Sequence, residues 1–518
     1  MPGYRVAQAR DATSPPLQSA LSIDPWITQP IEVVAESAAY PQAEARIGDV
    51  KDTGPDAWAA EEFGRAEIED GRWRRRLVQM AGRAARRPAG RVTEAFVDDA
   101  ERQGAYGLLE SGEVGAAEVS TAIFEACARR SAGKPFVYCA VDGTSLALTD
   151  SGRTKGFGPI GARAKNGQGL KVMNAMVLSP EGIPLGISSQ RWWVRPAKKR
   201  RKHRDKLKPE QKETHHWLKA MEQTRQVMAA HAPGTRCWFQ LDREGDAWPI
   251  LTAAGLEGHW FTVRQCRKRR VTLADGSSSY LDEVLARQPV RTTYKLQVTA
   301  TSKRQARVAH MVIRACAVTL DIRDRGGSQK RSSMVVNVVQ ASELGTTPAG
   351  EEPIVWTLLT NRPIQTLKDL TDVVFGYSMR WRIEELHRSW KSGGCRVEET
   401  QLRSPSAVIK WATILMSVAI RIERIKRVSR EQPERPATDE YTPIEIKAAA
   451  LLRFGKVGNA RISDGPTPTL AEVTLWIAKI GGYTSETSSG GPPGSVTIAR
   501  GMKELRAAVK ALEAIASD

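Results

Sequence analysis

The chain has 518 residues, 41% of them hydrophobic, which is enough for two to four domains with at least one sizeable core. Its 77 Lys and Arg outweigh 58 Asp and Glu, for a formal net charge of +19 and a pI near 9.8, so a polyanionic partner is expected. An anionic membrane is a poor candidate for that partner. The longest apolar stretch, Ala412 to Ile420, lies between Lys410 and Arg421, well short of the roughly 20 residues that span a bilayer.

The N-terminus, MPGYRVAQAR, carries no apolar export segment. The cysteines, Cys127, Cys139, Cys237, Cys266, Cys316 and Cys395, are scattered and form no C-x-x-C pair, which argues against a zinc site or a disulfide framework. A reduced, cytoplasmic protein is expected.

Residues 1–56 mix Pro, Ser, Ala and Asp without periodicity and read as a flexible extension with no assigned function. From Ala57, Ile68, Leu77, Met80 and Ala84 fall at near-helical spacing among Arg72, Arg74, Arg75, Arg76, Arg83, Arg86 and Arg87. A basic helical module over 57–132 is therefore predicted, with helical text at Val92 to Asp98 and Val114 to Ala132. An Arg-rich helix is ordinarily a solvated face. Its place ahead of a nuclease-like core favours DNA binding.

The pattern then changes. Phe136 to Val141 is a continuous apolar run, the mark of a strand buried on both faces, and it ends at Asp142. Met173 to Leu178 leads through Pro180, Glu181 and Gly182 into Ile183 to Ile187 as a hairpin. The charge run Lys198 to Lys208 is either a solvated loop or a contact to the DNA backbone. A helix at Trp217 to Met228 precedes a short strand, Cys237 to Leu241, that ends at Asp242. A helix at Ala247 to Ala254 and a strand at Trp260 to Arg264 complete an α/β pattern.

Residues from about 266 to 350 are β-rich and read as a β-domain inserted into the α/β core. Strand text returns at Ile354 to Thr360, followed by long helices at Leu367 to Ser392 and Ser406 to Arg430. The core is thus expected over 133–430, with a helical C-terminal region over 431–518.

The strongest chemical signal lies in the first of those long helices. At about 100° per residue, Tyr377, Arg380, Glu384, Arg388 and Lys391 fall near 0°, 300°, 340°, 20° and 320°, an arc of roughly 80°. Met379, Ile383, Leu386 and Trp390 fall between about 180° and 240°, so one stripe is buried and a polar stripe is presented. Alone, Glu384 would be read as an i,i+4 partner of Arg380 and Arg388. Asp142 and Asp242 change that reading, because each ends a buried-strand pattern, where open α/β sheets place their sites.

Three carboxylates at one place repel one another and raise their pKa values unless a cation neutralises them. Hard oxygen ligands without His or Cys favour Mg²⁺. Two such ions stabilise the attacking and leaving oxygens of an in-line phosphoryl displacement. Flanking Arg and Lys would hold DNA phosphates.

The stretch YSMRWRIEELHRSWKSG contains Tyr377, Arg380, Glu384 and Lys391 in a Y-x2-R-x3-E-x6-K spacing. AVDGTS surrounds Asp142 and LDREGD begins at Leu241. In these motifs and their order the chain resembles the DDE cut-and-paste transposases of the insertion-sequence-four family. The similarity runs from about Glu61 to the C-terminus, through QRWWVRP at Gln190 to Pro196 and the tail with LWIAKIGGY and GPPG.

The resemblance implies a ribonuclease-H-like catalytic core with the inserted β-domain, flanked by a helical N-terminal DNA-binding domain and a helical C-terminal dimerisation region. It implies that Asp142, Asp242 and Glu384 are catalytic and hold two Mg²⁺ ions, with Mn²⁺ as a substitute. Tyr377, Arg380, Arg388 and Lys391 would grip the transposon end. Arg264 would contact a DNA hairpin, and Trp356 would stack on a flipped base, returning about 1 to 3 kcal/mol of the unstacking cost.

The expected activity is excision of a DNA element through 3′-OH nicking and a hairpin, then strand transfer into target DNA. A homodimer on the DNA and a cytoplasmic, nucleoid-associated location go with it. The alternatives are a catalytically inactive DNA-binding regulator and a nuclease without strand transfer. The first 56 residues and the enlarged basic run depart from the family pattern and leave regulation and target choice open.

Overall fold

The computed structural model describes residues 54–161, 167–196, 212–255, 258–298, 300, 304–323, 331–455, 467–485 and 491–517. The N-terminal extension, except for its last three residues, and the basic run Lys198 to Lys208 lie outside the described residues.

The chain opens with five helices: α1 (Pro55–Phe63), α2 (Gly71–Arg86), α3 (Val92–Ala95), α4 (Asp99–Glu110) and α5 (Ala116–Ser131). Asp70 caps α2 by accepting from the Arg72 backbone N–H at 2.8 Å, the usual way an Asx side chain satisfies an unpaired helix-start donor. Leu77, Met80, Ala81, Ala84 and Ala85 form the buried stripe of α2. Asp98 starts α4 by the same device, accepting from the Glu101 N–H at 3.0 Å.

A mixed sheet follows. Its first strands are β1 (Phe136–Leu148), β2 (Gly158–Pro159), β3 (Gln168–Leu178) and β4 (Pro184–Trp193). The predicted hairpin is β3 and β4, closed by Gly182 in the left-handed region at φ 83°, where a side chain would be strained. Helix α6 (Thr214–His231) then crosses to β5 (Arg236–Leu241), and α7 (Trp248–Ala254) crosses to β6 (Trp260–Arg264). Both crossovers return to parallel neighbours: β5 lies beside β1 and β6 beside β5.

The β-rich stretch supplies β7 (Arg270–Thr272), β8 (Ser278–Tyr280), α8 (Leu281–Ala286), β9 (Thr292–Val298), β10 (Arg307–Arg323) and β11 (Arg331–Glu343). These strands continue the sheet of the core. Strand β12 (Val355–Thr360) is antiparallel to both β6 and β11 and joins the two parts. The resulting twelve-stranded sheet has the order β2-β3-β1-β5-β6-β12-β11-β10-β7-β8, with β4 beside β3 and β9 beside β10.

Alternation along β1 sends side chains to two separate cores. Val137, Cys139 and Val141 join one with α6 and α7 residues such as Met221 and Leu251. Tyr138 and Ala140 join the other with Ile383, Leu386 and Trp390. The second face is covered by α9 (Leu367–Met379), α10 (Trp381–Lys391) and α11 (Pro405–Glu431). Packing there is close. A Cβ at Gly376 of α9 would stand 2.6 Å from a Tyr138 ring carbon.

Helix α11 is the spine of the molecule. It is long and apolar enough to cross a membrane by length and composition, and 83% of its most apolar window is buried inside the protein. It behaves as a core helix. The sequence reading ended its apolar stretch at Lys410 and Arg421, yet both are buried within it. The Lys410 ammonium donates to the carbonyls of Leu108, Ser111 and Val114 at 3.3, 2.9 and 2.9 Å, at and beyond the end of α4. The Trp411 indole donates to the Gly90 carbonyl at 2.7 Å. Helices α12 (Pro443–Phe454), α13 (Leu470–Ile480) and α14 (Ser495–Ser517) complete the chain.

Candidate functional site

Strands β1 and β5 run side by side as far as the pair Ala140 and Gln240. Asp142 and Asp242 lie two residues beyond that pair, each on its own strand path. Asp242 follows β5 directly and caps a short 3-10 turn, accepting from the N–H groups of Glu244 at 2.8 Å and Gly245 at 3.4 Å. Asp142 differs from the expectation that it ends its strand. Antiparallel pairing with β3 carries β1 on to Leu148, so Asp142 sits within β1, at the point where β5 no longer accompanies it.

The face on which these residues point follows from the register. Asp142 has the parity of Tyr138 and Ala140, whose side chains pack beneath α9 to α11. Its cross-strand partner on β3 is Asn174.

The helix that carries the polar stripe is not continuous. Residues Leu367–Met379 and Trp381–Lys391 form two helices that meet at Arg380, which ends one and starts the other. Arg380 keeps helical dihedrals, φ −53° and ψ −34°, so the stripe stays aligned across the junction, but Tyr377 is buried rather than presented, at 5% exposure. Arg380 is also buried. Its guanidinium donates to Oε1 of Glu384 at 2.5 Å, and it lies 6.0 Å from the centre of the Tyr377 ring.

The three carboxylates lie within electrostatic reach of one another. Burial, then the charge of Asp242, pushes the Asp142 carboxyl well above the ordinary range, with Arg380 opposing and Glu384 adding to the rise. Burial also raises Glu384, against the pull of Arg380 and with a further push from Asp242. For Arg380, burial works against its charge but is outweighed by Tyr377, Glu384, Asp242 and Asp142, so its pKa is raised. Burial raises the Tyr377 phenol, with Arg380 and Arg264 pulling it down and Asp242 pushing it up.

This donor set suits a hard divalent cation: half-buried carboxylate oxygens whose charges repel one another. Its present arrangement is not a closed cage, since Glu384 is engaged by Arg380. Among the described residues, no three His, Cys, Asp or Glu side chains are gathered closely enough to hold an ion.

The remaining expected contacts fall around the same place. Trp356 on β12 packs edge-on against Tyr377, with ring centres 5.2 Å apart and planes at 72°. It is 5% exposed, and its indole N–H is buried without a hydrogen-bond partner. Arg264, the last residue of β6, donates to the Val355 carbonyl at 3.0 Å. Arg388 is exposed. Lys391 reaches back to β1, with its ammonium 3.5 Å from the Thr144 hydroxyl and 3.4 Å from Glu398.

Sequence reasoning passed over three polar residues here. Glu398 accepts from the Ala147 N–H at 2.8 Å and holds Lys391. Asn174 and His387 are buried against each other, Nδ2 to Nε2 at 2.9 Å. Asn174 had a legible signal, being the lone polar residue in VMNAMVL.

Helices α1 to α5 occupy the stretch expected as a basic helical module, 57–132. The side chain of Arg72 is 84% exposed, and Arg74 and Arg75 are exposed beside it, while the apolar stripe of α2 faces inward. Residues 55–114, which begin with α1 and run past the end of α4, match the family model described as transposase DNA-binding. The chain thus carries a transposase-type DNA-binding domain, which makes DNA its partner and points to a transposase.

Proposed function

We propose that this chain is a DDE transposase of the insertion-sequence-four type, with a ribonuclease-H-like core in which Asp142, Asp242 and Glu384 carry out phosphoryl transfer on DNA. The observation that carries the reading is that Asp142 on the sheet and Glu384 on the helix over it both lie within reach of the Asp242 charge and are both raised, downstream of a transposase-type DNA-binding domain. The strand order supports the core assignment. An antiparallel β4-β3-β1 unit is followed by parallel β5 and β6 through helical crossovers.

Asp142 and Asp242 would hold Mg²⁺, or Mn²⁺ in its stead, with Glu384 joining once Arg380 releases it. Two such ions supply charge neutralisation for the attacking and leaving oxygens of an in-line displacement. The protein's own part is positioning. A DNA phosphate drawn to Arg380 competes with Glu384 for the guanidinium, and Arg is suited to bidentate phosphate recognition. Arg388 and Lys391, about two and three turns beyond Arg380, extend that grip along the strand. Trp356 and Tyr377 form an aromatic pair that would open to accept an unstacked base, with Arg264 beside it.

The reaction sequence under this reading is nicking at the element's 3′ end, hairpin formation on the opposite strand, hairpin opening and joining to target DNA. Two ends require two copies, so a homodimer through the C-terminal helices is part of the proposal. The test uses purified full-length chain, MgCl₂ and DNA bearing the element's own ends. Wild type should nick the ends and join them to plasmid, and Asp142→Asn, Asp242→Asn and Glu384→Gln should each do neither while still binding the ends. Equal cleavage by wild type and Asp142→Asn would remove the catalytic assignment. Cleavage without joining would reduce the activity to that of a nuclease.

A further inference from the structure

Behind the carboxylates lies a chain of buried polar side chains. The Thr413 hydroxyl on α11 donates to Oε1 of Gln190 on β4 at 2.9 Å. Nε2 of Gln190 donates to Oδ1 of Asn174 on β3 at 3.1 Å. Nδ2 of Asn174 meets Nε2 of His387 on α10 at 2.9 Å. Exposure of the four is 0%, 6%, 0% and 7%.

The direction of this chain is fixed throughout. Gln190 commits the Asn174 oxygen as an acceptor, which leaves the Asn174 amide to donate, and His387 must then accept as a neutral imidazole with its proton on Nδ1. Burial, reinforced by the Lys391 charge, lowers His387 to about 3, which keeps it neutral at ordinary pH.

The two ends of the final bond stand beside catalytic groups. Asn174 is directly opposite Asp142 in the antiparallel ladder, at a Cα separation of about 5 Å. His387 follows Glu384 by three residues on α10, a rise of roughly 4.5 Å. An axial slip of α10, or its rotation away from β3, would strand a buried amide and a buried imidazole.

We infer that Asn174 and His387, oriented by Gln190, are positioning residues that set the separation of Glu384 from Asp142. The inference rests on the carboxylate site proposed above. Removing the bond frees α10 to shift relative to β1, and misplacement of a reacting group by about 1 Å costs roughly 100-fold in rate.

The experiment compares wild type with Asn174→Leu, His387→Leu and His387→Gln in the full chain, since a Gln side-chain oxygen can still accept from Asn174. For each, kcat and KM for end-DNA cleavage in MgCl₂ are measured, together with the rise in melting temperature on adding CaCl₂ as a non-catalytic probe of the carboxylates. Both Leu variants should lose roughly 100-fold in kcat with KM within twofold, and should lose the Ca²⁺-induced rise. His387→Gln should recover most of both.

The inference is overturned if kcat survives in Asn174→Leu, or if His387→Gln is as impaired as His387→Leu. It is also overturned if losses in kcat simply follow the melting temperature in the absence of metal. Failure of the carboxylate reading is distinguishable, because Asp142→Asn would then cleave like wild type.

Discussion

Arg380 holds Glu384 at 2.5 Å, one helical turn away, and both side chains are largely shielded from water. Under the proposed reading, the arginine supplies positive charge where a divalent cation would bind. Replacing Arg380 with Gln should move two quantities in opposite directions. The site becomes more negative, so the Mg²⁺ concentration for half-maximal cleavage should fall several-fold, while kcat should fall by about 100-fold or more with loss of the phosphate contact. Titration of cleavage rate against MgCl₂ at saturating end DNA measures both. A rise in the required Mg²⁺ would contradict the compensating role.

His387 predicts an acid-sensitive fold. Its pKa is about 3 in the folded chain against an ordinary 6.5, so the unfolded chain takes up the proton first as pH falls. The stability it contributes is complete above pH 6.5 and is lost progressively toward pH 3. Between pH 6.5 and 5 the loss is about 2 kcal/mol at roughly 1.4 kcal/mol per unit. Asp142 and Glu384, whose carboxyls are raised, act in the other sense, since folding favours their protonated forms. Metal-free melting curves from pH 8 to pH 5 should therefore be compared between wild type and His387→Gln. The variant should lose less stability across that range.

Glu398 restrains Lys391 at 3.4 Å. Both side chains are about a quarter exposed, so the pair is a modest one, on the order of 0.5 to 1 kcal/mol. Glu398→Gln should release the ammonium and tighten end-DNA binding by about two- to five-fold at low salt, with the gain shrinking as salt rises. Filter binding or fluorescence anisotropy at 50 and 200 mM NaCl tests this. Weaker binding at both would show that Glu398 matters through its bond to the Ala147 N–H instead.

Lys410 ties α11 to the DNA-binding module through three carbonyls. Lys410→Met keeps the length of the side chain and leaves those acceptors buried without a donor. At about 1 kcal/mol or more for each stranded group, stability should fall by roughly 3 kcal/mol. Urea unfolding monitored by Trp fluorescence checks the magnitude, and a change within about 0.5 kcal/mol would mean that water replaces the ammonium.

Much of the candidate site's placement was legible in the text of the chain. The apolar runs before Asp142 and Asp242 located two neighbouring strands, and their parallel register brings both carboxylates level. The apolar stripe of Ile383, Leu386 and Trp390 located the buried side of α10. The junction at Arg380 was not legible, because arginine is a good helix former and the residue itself keeps helical dihedrals. Nor could periodicity show that the β-rich stretch would share a sheet with the core. That depends on β12 pairing with strands far apart in sequence on both of its sides. The link between Asn174 and His387 spans 213 residues and has no local signature.

Helix α11 has a consequence for how the gene can be cut. Its apolar length is hidden by the partners it gathers from the N-terminal module: Leu108, Ser111 and Val114 on Lys410, Gly90 on Trp411, and Glu62 on Ser417. A start codon placed downstream of that module would make a protein whose longest greasy segment keeps β4, α10, α13 and α14 but has lost the cover of α2, α4 and α5. Such a product would meet the cell's chaperones, proteases and membrane-insertion machinery as a misfolded or misdirected chain, so truncated copies of this protein should be cleared rather than accumulate as soluble rivals of the intact one.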